Sequence, residues 1–274
     1  MMRILLPIAC LLLAWPLFPL AEEKEGGIIG TGVIGQITAL DRFEVSGMEF
    51  GFAPDFELVG VGSRDDLRLG MTLVLATGRN GADWQIHTLR YMPLLSGPVT
   101  APGEVMGVPI VGSLPSSGSV QIDGFWTETG IVASRITEYS EETAQVSGIY
   151  DGNGRVGHVP VQSADLFDFT AGQTLTVTGQ FLDGKIKAVS VTDGLFTGPS
   201  PELVLLEGFY RSMKSSGELN LHGIAFASAT VEQDVGSGVL VRRCAWKGRT
   251  DFSRSALSEK DEEMVSSFCV SASN

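Results

Sequence analysis

Three histidines, His87, His158 and His222, are the side chains best suited to bind a metal or move a proton near neutral pH. A zinc centre needs three or four His, Cys or carboxylate ligands converging on one ion, and no two of these histidines stand at a short ligand spacing. His158 and His222 fall in comparable second segments of different repeats and His87 in a fourth, so half-exposed strand histidines are expected, with no metal. Serines are numerous, but no Gly-x-Ser-x-Gly elbow is present. Ser212-Met213-Lys214 and Ser255-Ala256-Leu257 lack the neighbours that nucleophilic catalysis requires. A triad assembled only by the fold stays open, because it leaves no mark in local sequence. Gly30-Thr31-Gly32-Val33-Ile34-Gly35 spells the G-x-G-x-x-G dinucleotide fingerprint, yet it precedes a strand instead of joining a strand to a helix, so it reads as a lead-in. Asp151-Gly152-Asn153-Gly154 opens like a calcium loop. Arg155-Val156-Gly157-His158 follows and no Glu closes it, so a hairpin turn is the better reading. No catalytic residue and no cofactor are assigned.

Aromatic residues are the remaining class with binding chemistry. Trp84, Trp126 and Trp246 are the candidate ligand-binding residues, with Phe125 beside Trp126 and Phe209-Tyr210 also near a strand end. Exposed aromatics on one face of a small barrel hold sugars and similar ligands. The competing account is core packing, since strand alternation turns one member of each adjacent pair inward. Cys244 and Cys269 are the two cysteines beyond the apolar start of the chain. Two cysteines in an oxidising compartment more often pair than stay free, so a disulfide between them is expected, against the alternative of two buried thiols.

These residues need elements to hold them, and the elements recur. Val33-Ile34-Gly35-Gln36-Ile37, Leu95-Ser96-Gly97-Pro98-Val99, Gln145-Val146-Ser147-Gly148-Ile149 and Leu206-Glu207-Gly208-Phe209-Tyr210 begin alike. Their glycines, at 35, 97, 148 and 208, stand 62, 51 and 60 residues apart. A spacing of that order marks tandem units of one small fold. Each start is followed by a second extended segment. Leu69-Gly70-Met71-Thr72-Leu73-Val74 in the first copy lines up with Ala171-Gly172-Gln173-Thr174-Leu175-Thr176 in the third. Period-two alternation rich in Val, Ile, Leu and Thr, with Gly, Asp or Asn at the joints, is the strand-and-turn pattern. The 34 glycines suit coiled strands and tight corners better than helices. A unit this small leaves two sheet edges unless it closes into a barrel, so tandem small OB-like β-barrels are the expected all-β fold. Asp165-Leu166-Phe167-Asp168-Phe169 fits a single turn between strands. Ser255 to Phe268 is the best helix candidate, with Ser258 and Asp261 forming a capping box and Leu257, Met264, Val265 and Phe268 an apolar face.

The ends of the chain and its charge bound the function. Met1-Met2-Arg3 leads an apolar run from Ile4 to Leu20, then Ala21 and the polar Glu22-Glu23-Lys24-Glu25, which reads as a secretory signal peptide cut near Ala21. The alternative is a retained anchor, which Pro7, Pro16 and Pro19 disfavour. Cys10 lies inside the run after Pro7-Ile8-Ala9 and forms no lipobox. Beyond the signal no segment is apolar enough for a helical span. The formal net charge of −13 argues against nucleic acid, whose phosphates are bound by Lys and Arg.

With these segments in place, the chain resembles the bacterial OB-like family 5666 of the domains of unknown function. The resemblance rests on the glycine-rich lead-in Glu25-Gly26-Gly27-Ile28-Ile29-Gly30-Thr31-Gly32-Val33-Ile34-Gly35, on Phe43-Glu44-Val45-Ser46-Gly47-Met48-Glu49-Phe50, and on Leu67-Arg68-Leu69-Gly70-Met71-Thr72-Leu73-Val74. It implies an exported protein, often in tandem copies, with no assigned activity. The expected organisation is a signal peptide at 1–21, OB-like repeats at 28–93, 94–140, 143–197 and 202–250, the second and last degenerate, and an acidic C-terminal segment at 251–274. The expected function is non-enzymatic binding or scaffolding in the cell envelope, periplasmic or secreted, with an envelope protein or glycan as partner. An envelope enzyme or ligand sensor with its site between barrels, or a carbohydrate-binding module, is the alternative.

Overall fold

Alternation of apolar residues produces strands through most of the chain. The computed structural model describes residues 31–197, 200–210, 218–221, 224–227, 239–247, 255 and 257–271. The expected signal segment 1–21, the Ser212-Met213-Lys214 run and His222 lie outside them.

The first unit contains β1 (Thr31–Ala39), β2 (Glu44–Val45), β3 (Met48–Glu49), β4 (Gly51–Val59), β5 (Thr72–Asn80) and β6 (Asp83–Tyr91). β1 pairs antiparallel with β2 and with β5, β2 pairs with β3, β4 lies parallel to β6, and β6 returns antiparallel on β5. Since β3 runs through Phe50 into β4, the pairings form the circuit of a five-stranded, partly open Greek-key barrel. The same order recurs in β7 (Leu95–Ala101), β8 (Glu104–Val105), β9 (Val108–Val111), β10 (Ser119–Trp126) and β11 (Ile131–Glu138). It recurs again in β12 (Ala144–Ile149), β13 (Arg155–Val156), β14 (Val159–Gln162), β15 (Thr174–Leu182) and β16 (Lys185–Asp193), where a single Tyr150–Val156 bridge joins the first strand to the second. The middle unit, though degenerate in sequence, keeps the full set of pairings. Closure is partial in each, because one seam rests on two-residue strands. The last unit has β17 (Leu203–Tyr210) antiparallel to β20 (Val239–Trp246), with the hairpin β18 (Glu218–Leu221) and β19 (Ile224–Ala227) between them in sequence. A 3₁₀ turn at Asp165–Asp168 and the helix α1 (Glu259–Ser271) fall where the sequence pattern places them. Ser258 caps α1 by accepting the Asp261 N–H at 3.2 Å and donating to its carboxylate at 2.7 Å.

The recurring glycine has a packing reason. In each of the first three barrels the turn joining the second strand to the third folds back over the first strand, and the glycine lies beneath it. A Cβ on Gly35 would overlap the Ser46 hydroxyl, and one on Gly97 would lie 2.6 Å from the Met106 sulfur. On Gly148 it would lie 3.0 Å from the Gly157 nitrogen. Each of these barrels therefore carries a notch on its first strand.

First strands also join the barrels. β1 pairs parallel with β17, Thr31 to Ile34 against Leu203 to Leu206. β7 pairs antiparallel with β12 at Leu95–Val146 and Ser96–Gln145. The result is an eight-stranded sheet of the first unit with β17 and β20, a ten-stranded sheet holding the middle two units, and β18–β19 as a separate two-stranded sheet. The cores follow. One cluster contains Val33, Leu73, Leu75, Ile86 and Leu89 of the first barrel together with Leu203, Leu205, Trp246, Val265 and Phe268. A second runs unbroken through the middle barrels, from Leu95 and Ile122 to Val146 and Val177. A third, with Ile34, Val74, Met92, Leu195, Val204 and Leu206, fills the space behind β1.

The long hairpin of each of the first three barrels carries a bulge at the same place, after Ala76, Asp123 and Thr178. In the third barrel a Cβ on Gly179 would overlap the Lys187 carbonyl, a backbone group that cannot yield cheaply. Gly179→Ala is expected to cost about 3 kcal/mol. Gly184→Ala, at a left-handed turn residue with nothing within 4 Å of the added carbon, is expected to cost about 1 kcal/mol. Denaturant midpoints at unchanged m-value measure both.

Candidate functional site

The polar side chains in unusual surroundings lie at the joints between barrels. Asp123, fully buried at the bulge of β10, belongs to the second barrel but bonds to the first. Its Oδ1 accepts the Thr72 N–H at 3.0 Å, and its Oδ2 lies 3.0 Å from the Tyr91 hydroxyl and 3.3 Å from Arg135 Nη1. The next residue reciprocates, the Gly124 N–H donating to Thr72 Oγ1 at 3.2 Å. The Tyr91 hydroxyl is also 3.0 Å from Gln121 Oε1 and donates to one acceptor at a time. Ser134 Oγ adds a bond to the Gly70 carbonyl at 2.7 Å. Burial pushes the Asp123 carboxyl up to about 6, against the opposing pull of the Thr72, Tyr91 and Arg135 donors. Burial, followed by the Asp123 charge, pushes the Tyr91 phenol upward as well.

Glu207 does the same work between the last unit and the first. It is buried on β17 and accepts the Gln36 N–H at 3.3 Å, the Ser46 hydroxyl at 2.9 Å and Arg242 Nε at 3.0 Å. The Gly35 notch is what admits it, since a Cβ there would come within 3.1 Å of Glu207 Oε2. Arg90 links the first barrel to the end of the third through the Gly194 carbonyl at 3.1 Å, and burial lowers its pKa.

The third notch receives an aromatic wedge. Trp126, at the end of β10, donates its indole N–H to the Ser147 carbonyl at 2.8 Å. Its ring lies where Cβ atoms on Gly148 and Gly157 would sit, at 3.1 and 2.6 Å. His158 stands edge-on to it at 5.4 Å and hydrogen-bonds the Thr127 carbonyl at 2.9 Å. Trp84 of the first barrel and Trp246 on β20 of the last unit pack instead with the first barrel's core. Trp84 meets Phe268 of α1 edge-on at 4.7 Å, and Trp246 is buried in the same core with the Lys247 ammonium 5.5 Å from its ring. The three candidate tryptophans are thus divided between two cores. His87 lies at the bulge of β6, well away in sequence and in barrel from His158. Among the described residues no three His, Cys, Asp or Glu side chains are grouped so as to hold a metal ion. Asp151 accepts the Asn153 and Arg155 N–H groups at 2.7 and 3.0 Å, the geometry of a turn. Cys244 and Cys269 form a disulfide.

Sequence reasoning passed over Asp123, Glu207 and their arginines Arg135 and Arg242. The available sign was a carboxylate inside an apolar run, Val120-Gln121-Ile122-Asp123 and Leu203-Val204-Leu205-Leu206-Glu207. No family model matches the chain, and no curated protein or solved structure matches it either.

Asp123 yields a signed prediction. Its folded pKa, about 6, exceeds the ordinary 3.8, so the folded state holds a proton that the unfolded state has released between those values. The contribution to stability is therefore greatest below about pH 4 and is lost as pH rises through 6, at up to about 1.4 kcal/mol per pH unit. Asp123→Asn is expected to remove that slope, read as the difference between wild-type and variant unfolding free energies from pH 4 to 7. Asp123→Ala strands the Thr72 N–H and takes the carboxylate from Arg135, while the Tyr91 hydroxyl keeps Gln121 as acceptor, and it is expected to cost about 3 kcal/mol at pH 7.

Proposed function

We propose that the chain is an exported, non-enzymatic binding or scaffolding protein of the bacterial cell envelope, built from tandem copies of one OB-like unit. The observation that carries this reading is the use to which two buried carboxylates and two half-buried side chains, an arginine and a tryptophan, are put. Asp123, Glu207, Arg90 and Trp126 each bond across a joint, fastening one barrel to another. A set of barrels locked in fixed relation offers a long, rigid surface, which suits presentation or adhesion better than turnover. The disulfide between Cys244 and Cys269 accords with an oxidising compartment, and the start of the sequence supplies the export signal. The strongly acidic balance points away from polyanions and toward an envelope protein or a neutral glycan.

Two measurements test the proposal. Fractionation of the native host, with N-terminal sequencing, is expected to find the protein outside the cytoplasm and beginning near Glu22; a cytoplasmic chain that keeps Met1 sinks the export reading. The purified mature chain is expected to bind an envelope protein or glycan saturably and to leave it chemically unchanged. Turnover of an envelope polymer or ester, abolished by one point substitution, would overturn the non-enzymatic assignment.

A further inference from the structure

The C-terminal helix is held to the body of the protein in a way that invites release. α1 has 13 residues, three acidic residues in its first turn and no basic residue in its last. A helix this short is marginal in isolation, so α1 depends on what it packs against. It packs on the first barrel. Val265 and Phe268 are fully buried in that barrel's core, Leu257 and Met264 lie against the same cluster, and the Phe268 ring meets Trp84. The contact falls on the tip of the β5–β6 hairpin, where Arg79 and Trp84 are paired across the strands. Arg79 reaches Glu263 at 3.4 Å, but both side chains are largely in water and such a pair holds little. A further tie is covalent: Cys269 near the end of α1 is bonded to Cys244 on β20, across a separation of 25 residues. Closing a loop of that size favours the docked arrangement by roughly a hundredfold over the unlinked chain. Both cysteines are partly exposed.

We propose that α1 is a redox-released strap across the β5–β6 end of the first barrel: reduction of Cys244–Cys269 frees the helix and uncovers the apolar surface around Trp84. The chemistry is thiol–disulfide exchange with an external dithiol. One thiolate of the dithiol attacks a sulfur of the Cys244–Cys269 bond and forms a mixed disulfide. Its second thiol then displaces the protein sulfur, so the protein leaves with two thiols and the dithiol leaves as a disulfide. This inference is independent of the binding role proposed above, since it concerns the state of the helix and not the identity of any ligand.

Hydrogen exchange read by mass spectrometry on the whole mature chain distinguishes the outcomes, comparing oxidised protein with the same protein reduced by dithiothreitol after folding. Amides of 259–271 are expected to lose protection by about a hundredfold on reduction, while β12 and β15 in the third barrel and β5 in the first keep theirs. A Cys244→Ser, Cys269→Ser double variant is expected to match the reduced protein. Unchanged protection in 259–271 would mean that packing alone holds the helix, and the strap is refuted. Loss spreading through β1, β5 and β6 together with the helix would mean a general staple of the first barrel, which also refutes it. Because reduction is applied to folded protein, failure of the double variant to fold leaves the test intact.

Discussion

A barrel of about 50 residues cannot bury enough apolar surface on its own to be secure, and it leaves strand edges that seek partners. This chain resolves both difficulties with one device, the pairing of first strands. β1 accepts β17 along 31–34, opposite β5 and ahead of the stretch that pairs with β2, and β7 and β12 pair at Leu95–Val146 and Ser96–Gln145. The residues of β17 then alternate between two clusters, Leu203 and Leu205 facing the first barrel's core and Val204 and Leu206 facing the cluster behind it. A strand that is buried on both faces is a core strand wherever its chain segment began. The separation into barrels is therefore one of pairing order, while the apolar interior is distributed over unions of units.

The two carboxylates buried at these unions are each held by several donors. Asp123 and Glu207 each take three donors, one of them an arginine from the adjacent strand of the same unit: Arg135 faces Asp123 and Arg242 faces Glu207 across their ladders. The two joints thus repeat a plan, in which a cross-strand arginine neutralises a carboxylate whose remaining oxygen valences point into the neighbouring barrel. Desolvation makes such a group expensive when its partners are lost, so each joint tolerates one geometry and rejects near misses. The buried pair contributes more to the uniqueness of the arrangement than to its net stability.

Much of this was legible in the sequence. The glycines at 35, 97 and 148 stand out in the sequence because a crossing turn fixes each of them, and steric demands of that kind are local. The capping box at Ser258 and the single turn at Asp165–Asp168 are local as well, and both stand where the residues indicate. The cysteine pairing was legible from the number of cysteines together with the expectation of an exported chain. Asp123 was illegible for the opposite reason. Its three partners come from positions 72, 91 and 135, and nothing in Ile122-Asp123-Gly124 announces a ligand shell drawn from another unit. Trp126 was ambiguous for the same cause: the notch that receives it is made by Gly148 and Gly157, which become a notch only once β12 and the turn after β13 are superposed. Local chemistry is written in neighbours, whereas joints are written in residues that meet only after folding.

The parallel union of β1 with β17 has a consequence for the order of events. Synthesis delivers the first barrel's own strands by Tyr91, yet its core also contains Leu203, Leu205, Trp246, Val265 and Phe268. The middle barrels draw their shared core from 94–191 and are complete long before. The barrel that is made first is finished last. Until the final strand and helix arrive, its apolar interior waits as an acceptor, and the contacts that complete it span some of the longest sequence separations in the chain, the slowest kind to form. Maturation thus runs from the centre of the polypeptide outward, with the two ends closing on each other as the last step.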